Sequence, residues 1–516
     1  MLRKISFLMA LVLILTSAMC VIVSADGIIT DNDNATLIPS EEPYVENELL
    51  VLTREMLDLS GYTQGELFDF FGVPVIGIHQ SFGATEEEVE QWLSVVDDCF
   101  PYKLTLHPVC TVPNAVATLD GNANVINASP NYIITADAYP DIEETGDYEI
   151  QDTGTDYTQW ALDSLQINLA WGKGFVGSDD VKVAIIDLGN VAHTDLENNL
   201  DMSLAYDAHG YGVDEPVDNF HGNFVAGIIG ADYNDGGING ICQNVTMIPI
   251  RTFHNVHDIL YQDICEGVSY AITKGAKIIN CSQKLPYDTS YLISIIESAD
   301  ILFVTTAGNG LEENNNVGTN MVDADDTLGK RHDSPNWIVV GSINSQKQKA
   351  SHSNYSPVYC DIFAPGYQIC STMLSGYDTR NGTSYAAPHV AAACALIMSK
   401  ATHLTPLEVR DLILENPETL TGFDNYCVSG GTLSINNAIE ALFQENRGAY
   451  TKGDVDGDGY VDQYDYIACR RIYFGTLTPT EAQLDAADVN GDGEVDTFDV
   501  TMISRYYNRT LYFAPY

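Results

Sequence analysis

Basic side chains are scarce in this chain of 516 residues: 23 Lys and Arg stand against 72 Asp and Glu, a formal net charge of −49. That balance repels phosphate backbones and anionic membrane surfaces. It excludes nucleic-acid and lipid-headgroup binding as primary functions and favours solubility and cation binding. Zinc motifs are missing as well, because no cysteines are spaced CxxC and no HExxH occurs. After one N-terminal apolar run, no second stretch of membrane-spanning length follows. Wholesale disorder is excluded by 45% hydrophobic residues, and the length predicts about two to four domains.

The N-terminal run has the layout of a secretory signal. Arg3 and Lys4 precede Ile5 to Val23, and Val23-Ser24-Ala25 offers small residues for cleavage before Asp26. Residues 1–25 therefore read as a signal peptide, and the mature protein as secreted, extracellular or bound to a cell-surface scaffold, with no membrane span after cleavage. Of eleven cysteines, only Cys20 lies in this segment. Export permits disulfides, and Cys99 with Cys110 or Cys360 with Cys370 are close enough in sequence to pair. Cys281 and Cys394 sit in apolar stretches and read as buried thiols.

From about residue 47 to 139 the pattern is a compact α+β unit. Leu49-Leu50-Val51-Leu52 and the run 131–139 read as strands, and Thr85 with Glu88 forms a capping box before Val89, Trp92, Leu93 and Val96. An acidic, polar stretch from 140 to 157 reads as an exposed linker. From about Gln159 short apolar strands (181–186, 247–250, 277–280, 301–304, 338–340) alternate with helical stretches near 222–231, 258–274, 290–299 and 385–400. Such alternation predicts an α/β fold, a doubly wound and mostly parallel sheet with functional groups at the carboxyl ends of its strands. The tail repeats itself: Gly453-Asp-Val-Asp-Gly-Asp-Gly recurs as Ala487-Asp-Val-Asn-Gly-Asp-Gly, which marks a small duplicated third domain.

Three residue types within the α/β region belong together chemically. Asp187 ends a strand, His221 opens His221-Gly222-Asn223-Phe224-Val225-Ala226-Gly227, and Ser384 follows a tight glycine turn before an alanine-rich helix. A serine hydroxyl is a weak nucleophile, so a histidine must take its proton and a carboxylate must hold the imidazole tautomer. Asn309, after the strand 301–304, can present an amide to an oxyanion. The order Asp, His, Ser is that of the subtilisins.

On these residues, and on Asn381-Gly-Thr-Ser-Tyr-Ala-Ala-Pro-His-Val390 with Asp361-Ile-Phe-Ala-Pro-Gly366, the stretch from about Gln159 to Leu442 resembles the subtilisin-like serine proteases. The resemblance implies nucleophile Ser384, general base His221, orienting Asp187, oxyanion donor Asn309 and a protein or peptide substrate. The family's substrate-pairing Ser-Leu-Gly stands here as Ser282-Gln283-Lys284, and Leu188, Asn223 and Phe224 also depart from its pattern. Lys284 predicts a preference for acidic substrates. The departures leave open a second reading, a binding or regulatory subunit on a protease fold that no longer cleaves. By position, residues 26–150 resemble the family's inhibitory propeptide plus linker, ahead of a peptidase domain at 155–447. Gln159, Asp195 and Asn234 fall where some family members bind calcium.

The tail carries two loops of the EF-hand kind, with oxygens at positions 1, 3, 5, 7, 9 and 12 and glycine at 6. The first supplies Asp454, Asp456, Asp458, the Tyr460 carbonyl, Asp462 and Asp465. The second supplies Asp488, Asn490, Asp492, the Glu494 carbonyl, Asp496 and Asp499. With Asp at position 12 and a C-terminal location, residues 451–516 resemble a type I dockerin, a small all-α duplicated domain. The resemblance implies two Ca2+ ions and docking to a cohesin on an extracellular, cellulosome-like scaffold. Gln463, Tyr464, Thr497 and Phe498 would read the partner, with Arg470, Arg471 and Arg505 beside them.

Overall fold

The computed structural model describes residues 43–134, 159–445 and 452–507, except 60–61, 82–85, 97, 211, 214–218, 234–235, 253–258, 284, 287, 311–317, 322–333, 458–460, 462 and 492. The signal segment, the linker 140–157, Thr85, Asn234, Lys284, Asp458, Tyr460, Asp462 and Asp492 thus lie outside the described residues.

A nine-stranded sheet runs in the order Glu418–Thr419, Gly431–Thr432, Ile362–Pro365, Trp337–Ile343, Leu302–Thr306, Ile278–Cys281, Gly177–Asp187, Asn244–Arg251, Tyr206–Asp207. Every pairing is parallel except that of Glu418–Thr419 with Gly431–Thr432. The five apolar runs expected to be strands lie in this sheet; four are extended at one or both ends and that at 277–280 is shifted by one residue, to Ile278–Cys281. Val183 and Ile185 share a core with Val225 and Ile229 of the helix His221–Gly230 and with the helix Ala387–Met398. All twelve residues of the latter are buried, so its alanines let it lie flat on the sheet. The helix Tyr261–Thr273 covers the opposite face. A methyl on its Gly267 would stand 2.9 Å from Ile250.

Strands Tyr44–Thr53, Phe68–Phe70, Val73–Gln80, Phe100–Leu106 and Val125–Ile134 form an antiparallel sheet in the N-terminal unit, with helices Glu86–Val95 and Val112–Leu119. The expected strand 131–139 begins earlier, at Val125, and is described as far as Ile134. The tail is helical: Gln463–Tyr473, Glu481–Ala487 and Thr497–Tyr507 enclose a small core of Val455, Cys469, Ala487 and Ile503.

The suggested disulfides do not form. All ten described cysteines are free and all but Cys110 are buried. The Cys360 thiol instead faces the carbonyls of Val339 and Ile362. Burial pushes the Cys99 and Cys370 thiols up to about 11 and Cys394 to about 12, which keeps them protonated and slow to react.

Candidate active site

Three strand ends converge at one edge of the sheet. Asp187 is the last residue of its strand and fully buried. Its Oδ1 accepts from the Leu188 amide at 2.8 Å, and its carbonyl accepts from the Thr252 amide. The hydroxyl that the family carries at position 188 is gone, but the backbone donor remains. His221 is the first residue of its helix, and its Nδ1 lies 2.8 and 2.9 Å from the two Asp187 carboxylate oxygens. This fixes the proton on Nδ1 and leaves Nε2 as the acceptor. Gly222 makes the approach feasible, since a Cβ there would stand 2.2 Å from the Gly189 carbonyl.

Ser384 sits in a short 3₁₀ turn, Thr383–Tyr385, just ahead of the helix Ala387–Met398. The helix N-terminus favours negative charge there. Its Oγ donates to the Ser282 carbonyl at 3.3 Å, and the Ser282 hydroxyl donates to the Ser384 carbonyl at 2.8 Å. The imidazole of His221 lies 5.6 Å, ring to ring, from Tyr385, the residue after the serine. Tyr385 is held from below by His389, whose Nδ1 meets the Tyr385 carbonyl at 2.7 Å. Burial lowers the His389 pKa to about 4, so this histidine stays neutral and structural.

Asn309 follows the strand Leu302–Thr306. Its Oδ1 accepts from both the amide and the hydroxyl of Thr383, each at 3.0 Å. With the acceptor end turned to Thr383, the Nδ2 donor end faces the other way, the orientation an oxyanion requires.

Two departures from the family pattern find partners here. Asn223 is fully buried and clamps Val191, accepting from its amide at 2.8 Å and donating to its carbonyl and to Met373 O at 3.1 Å. Phe224 packs on Tyr385 with centroids 4.4 Å apart. Asn223→Ala would leave three backbone groups without partners, and we expect it to cost about 2 to 4 kcal/mol. Thermal unfolding of the purified variant should show a Tm lower by roughly 5 to 10 °C, and an unchanged Tm would show that the clamp carries no load.

The Gln283 side chain is buried and exchanges hydrogen bonds with the Thr252 hydroxyl, at 2.9 and 3.1 Å, which leaves its backbone as the part of this residue able to pair with a substrate strand. A buried amide must find a partner, and Thr252 supplies it.

The N-terminal unit reaches this edge directly. Its strand Val125–Ile134 pairs antiparallel with Ile259–Leu260, Ile133 opposite Leu260. Asn131 accepts from the Gln262 amide at 3.0 Å and so satisfies the start of the helix Tyr261–Thr273. His79 pairs with Glu266 of the same helix at 3.1 Å, and Asn127 donates to Ser290. No sequence motif announced these contacts.

In the tail, Asp454 and Asp465 are fully buried, and ligand atoms of Asp454, Asp456 and Asp465 all lie within 4.8 Å of one another. Buried carboxylates so close repel unless a cation sits between them, so the set fits a hard divalent ion. The loops share a register. Val455 N donates to Asp465 and Gly457 N to Asp454, just as Val489 N donates to Asp499 and Gly491 N to Asp488. Gln159 Oε1 and Asp195 Oδ2 also meet on one loop, where they accept from the amides of Asn239 and Ile238 at 2.9 Å. On the tail helices Tyr464, Arg470, Arg471, Thr497, Phe498 and Arg505 are exposed. Ile467 in the helix of Tyr464, and Phe474 just after its end, are exposed as well. Among the described residues no helix is long and apolar enough to cross a membrane.

A profile of the subtilase family matches residues 178–431, and a profile of the type I dockerin domain matches residues 452–508. Subtilisin NAT of Bacillus subtilis subsp. natto is 34% identical over 286 residues, 54% of this chain and 71% of its own length. Subtilisin of Bacillus pumilus is 34% identical over 276 residues, 52% of this chain and 95% of its own. Minor extracellular protease Epr of Bacillus subtilis (strain 168) is 30% identical over 281 residues, 53% of this chain, but this chain spans only 41% of Epr.

Proposed function

The chain belongs to the subtilase family of serine-type endopeptidases, and we propose that it cleaves peptide bonds through Asp187, His221 and Ser384 while its dockerin domain tethers it to an extracellular scaffold. The two-oxygen grip of Asp187 on His221 Nδ1, beside the Ser384 turn, is the observation that carries this reading.

The chemistry proceeds from that grip. His221 Nε2 takes the Ser384 proton as Oγ attacks the substrate carbonyl, and Asp187 stabilises the imidazolium that results. Asn309 Nδ2 and the amides at the start of the Ser384 helix meet the oxyanion. His221 then returns the proton to the leaving amine, and water, activated by the same histidine, releases the acyl group. Backbone groups at Ser282 and Gln283, with Lys284 after them, pair with the substrate. Fluorophosphonate should label the wild-type protein and not Ser384→Ala. Labelling of neither protein would favour the non-cleaving reading. For Asn309→Ala we expect kcat to fall about a hundred- to a thousandfold, the size known for loss of this amide in this family, with KM little changed. A kcat within a fewfold of wild type would remove Asn309 from the oxyanion site.

The N-terminal unit reads as an inhibitory propeptide, because its strand extends the edge on which a substrate strand would lie. Secretion follows from the signal-like N-terminus. Two Ca2+ ions would order the tail loops, with Asp458, Asp462 and Asp492 completing the sets of buried carboxylates, and the exposed face around Tyr464 and Phe498 would meet a cohesin. Gln159 and Asp195 would hold a further calcium in the peptidase domain.

A further inference from the structure

The leaving amine takes its proton from His221, so the leaving half of a substrate must lie on the His221 side of Ser384. The acyl half lies toward Ser282. Next to His221 in the sequence stands an unusual feature for so acidic a chain. Phe220, immediately before His221, has the guanidinium of Arg380 over its ring, with Cζ 5.0 Å from the centroid. Arg380 ends the hairpin strand Tyr377–Arg380, four residues before Ser384, and its backbone pairs with Ile369. Both residues that flank this position, one from each catalytic segment, are therefore tied to rigid elements.

The guanidinium is only partly satisfied. One nitrogen, Nη2, pairs with Asp378 Oδ2 at 2.6 Å, and the side chain is 33% exposed. Its Nε is buried without a hydrogen-bond partner, and nothing among the described residues engages Nη1. A cation resting on an aromatic face, with donors to spare and part of its hydration removed, attracts a carboxylate more strongly than one in free solvent.

We propose that Arg380 is a specificity-determining residue that favours an acidic side chain among the first two residues after the scissile bond. This rests on the endopeptidase reading above and names its substrate class. It differs from the expectation built on Lys284, which follows Ser282 in the sequence. The chain's net charge opposes acidic substrates at long range, but that field is screened within about 8 Å at physiological salt, while a direct contact is not. The stretch joining the N-terminal unit to the protease offers such residues itself: eight, from Asp137 to Asp156, occur between 135 and 158, with no lysine or arginine.

The test compares two internally quenched peptides with one scissile bond, identical except for Glu or Gln at the second position after it. At 0.15 M salt the wild-type kcat/KM should favour the Glu peptide about five- to tenfold. Arg380→Gln should bring the ratio to about one. Asp378→Asn, which releases the guanidinium from its present partner, should raise it. Equal rates in the wild type, or a ratio that survives Arg380→Gln, would overturn the assignment. If the wild type cuts neither peptide, the endopeptidase reading fails by itself. The affinities of the same peptides for Ser384→Ala, read by fluorescence anisotropy, then decide the role of Arg380: a Glu preference abolished by adding Arg380→Gln supports it, and equal affinities refute it.

Discussion

Ser384→Ala will lower kcat/KM for a short peptide by about a millionfold, the size known for loss of the nucleophile in this family. His221→Ala will cost about the same, because either change removes the same proton-transfer unit. Asp187→Ala will cost less, about ten-thousandfold. Such values cannot be added, since the three groups act as one. Ser384→Ala also tests maturation. If the protease itself cuts between residues 135 and 158, the alanine variant will accumulate as the longer form after signal removal, visible as an extra mass of the N-terminal unit on a gel. Equal processing of both proteins would assign the cut to another protease. A variant that still hydrolyses peptide at the wild-type rate would remove Ser384 from the chemistry altogether.

The second large effect concerns the tail. Asp454, Asp465 and Asp499 are fully buried and Asp488 nearly so, and only a small apolar core supports them. Without a cation their repulsion should loosen the fold, and calcium should supply the free energy that orders it. Asp454→Ala with Asp488→Ala, or EDTA on the wild type, should weaken cohesin binding about a thousandfold or more, which is about 4 kcal/mol. Hydrolysis of a small soluble peptide should stay nearly unchanged, because the triad is built on the nine-stranded sheet and its helices and not on the helical tail. Titration calorimetry with a cohesin and a peptide assay on the same samples give both numbers. Cohesin binding that survives EDTA would contradict calcium-dependent docking, and a collapse of hydrolysis with the peptidase domain still folded would mean that the tail is more than a tether.

How much of this was legible in the chain depended on distance along it. Features set by neighbours in sequence could be read: the apolar strands around Val183 and Ile338, the turn that presents Ser384, the calcium-loop spacing from Asp454 to Asp465, and the shortage of basic residues. Hydrophobic period, turn chemistry and ligand spacing act within a dozen residues, so the pattern itself holds the information. Other features needed the fold. Asn223 looked like a lost family residue until the Val191 and Met373 backbone came within reach of its amide. Gln283 finds a buried partner in Thr252, 31 residues away, that no local pattern pointed to. The cysteine pairs suggested by closeness in sequence stayed apart, because successive residues on strands and turns point their side chains different ways. Arg380 over Phe220, Ser282 against Ser384 across 102 residues, and the N-terminal strand on Ile259–Leu260 depend on how helices and strands pack. The chain by itself therefore determined which chemical groups are present and what local shape carries each one. Which groups meet was decided only by the tertiary structure, since contacts between distant segments depend on the sheet order and the packing of its two faces, which no local pattern encodes.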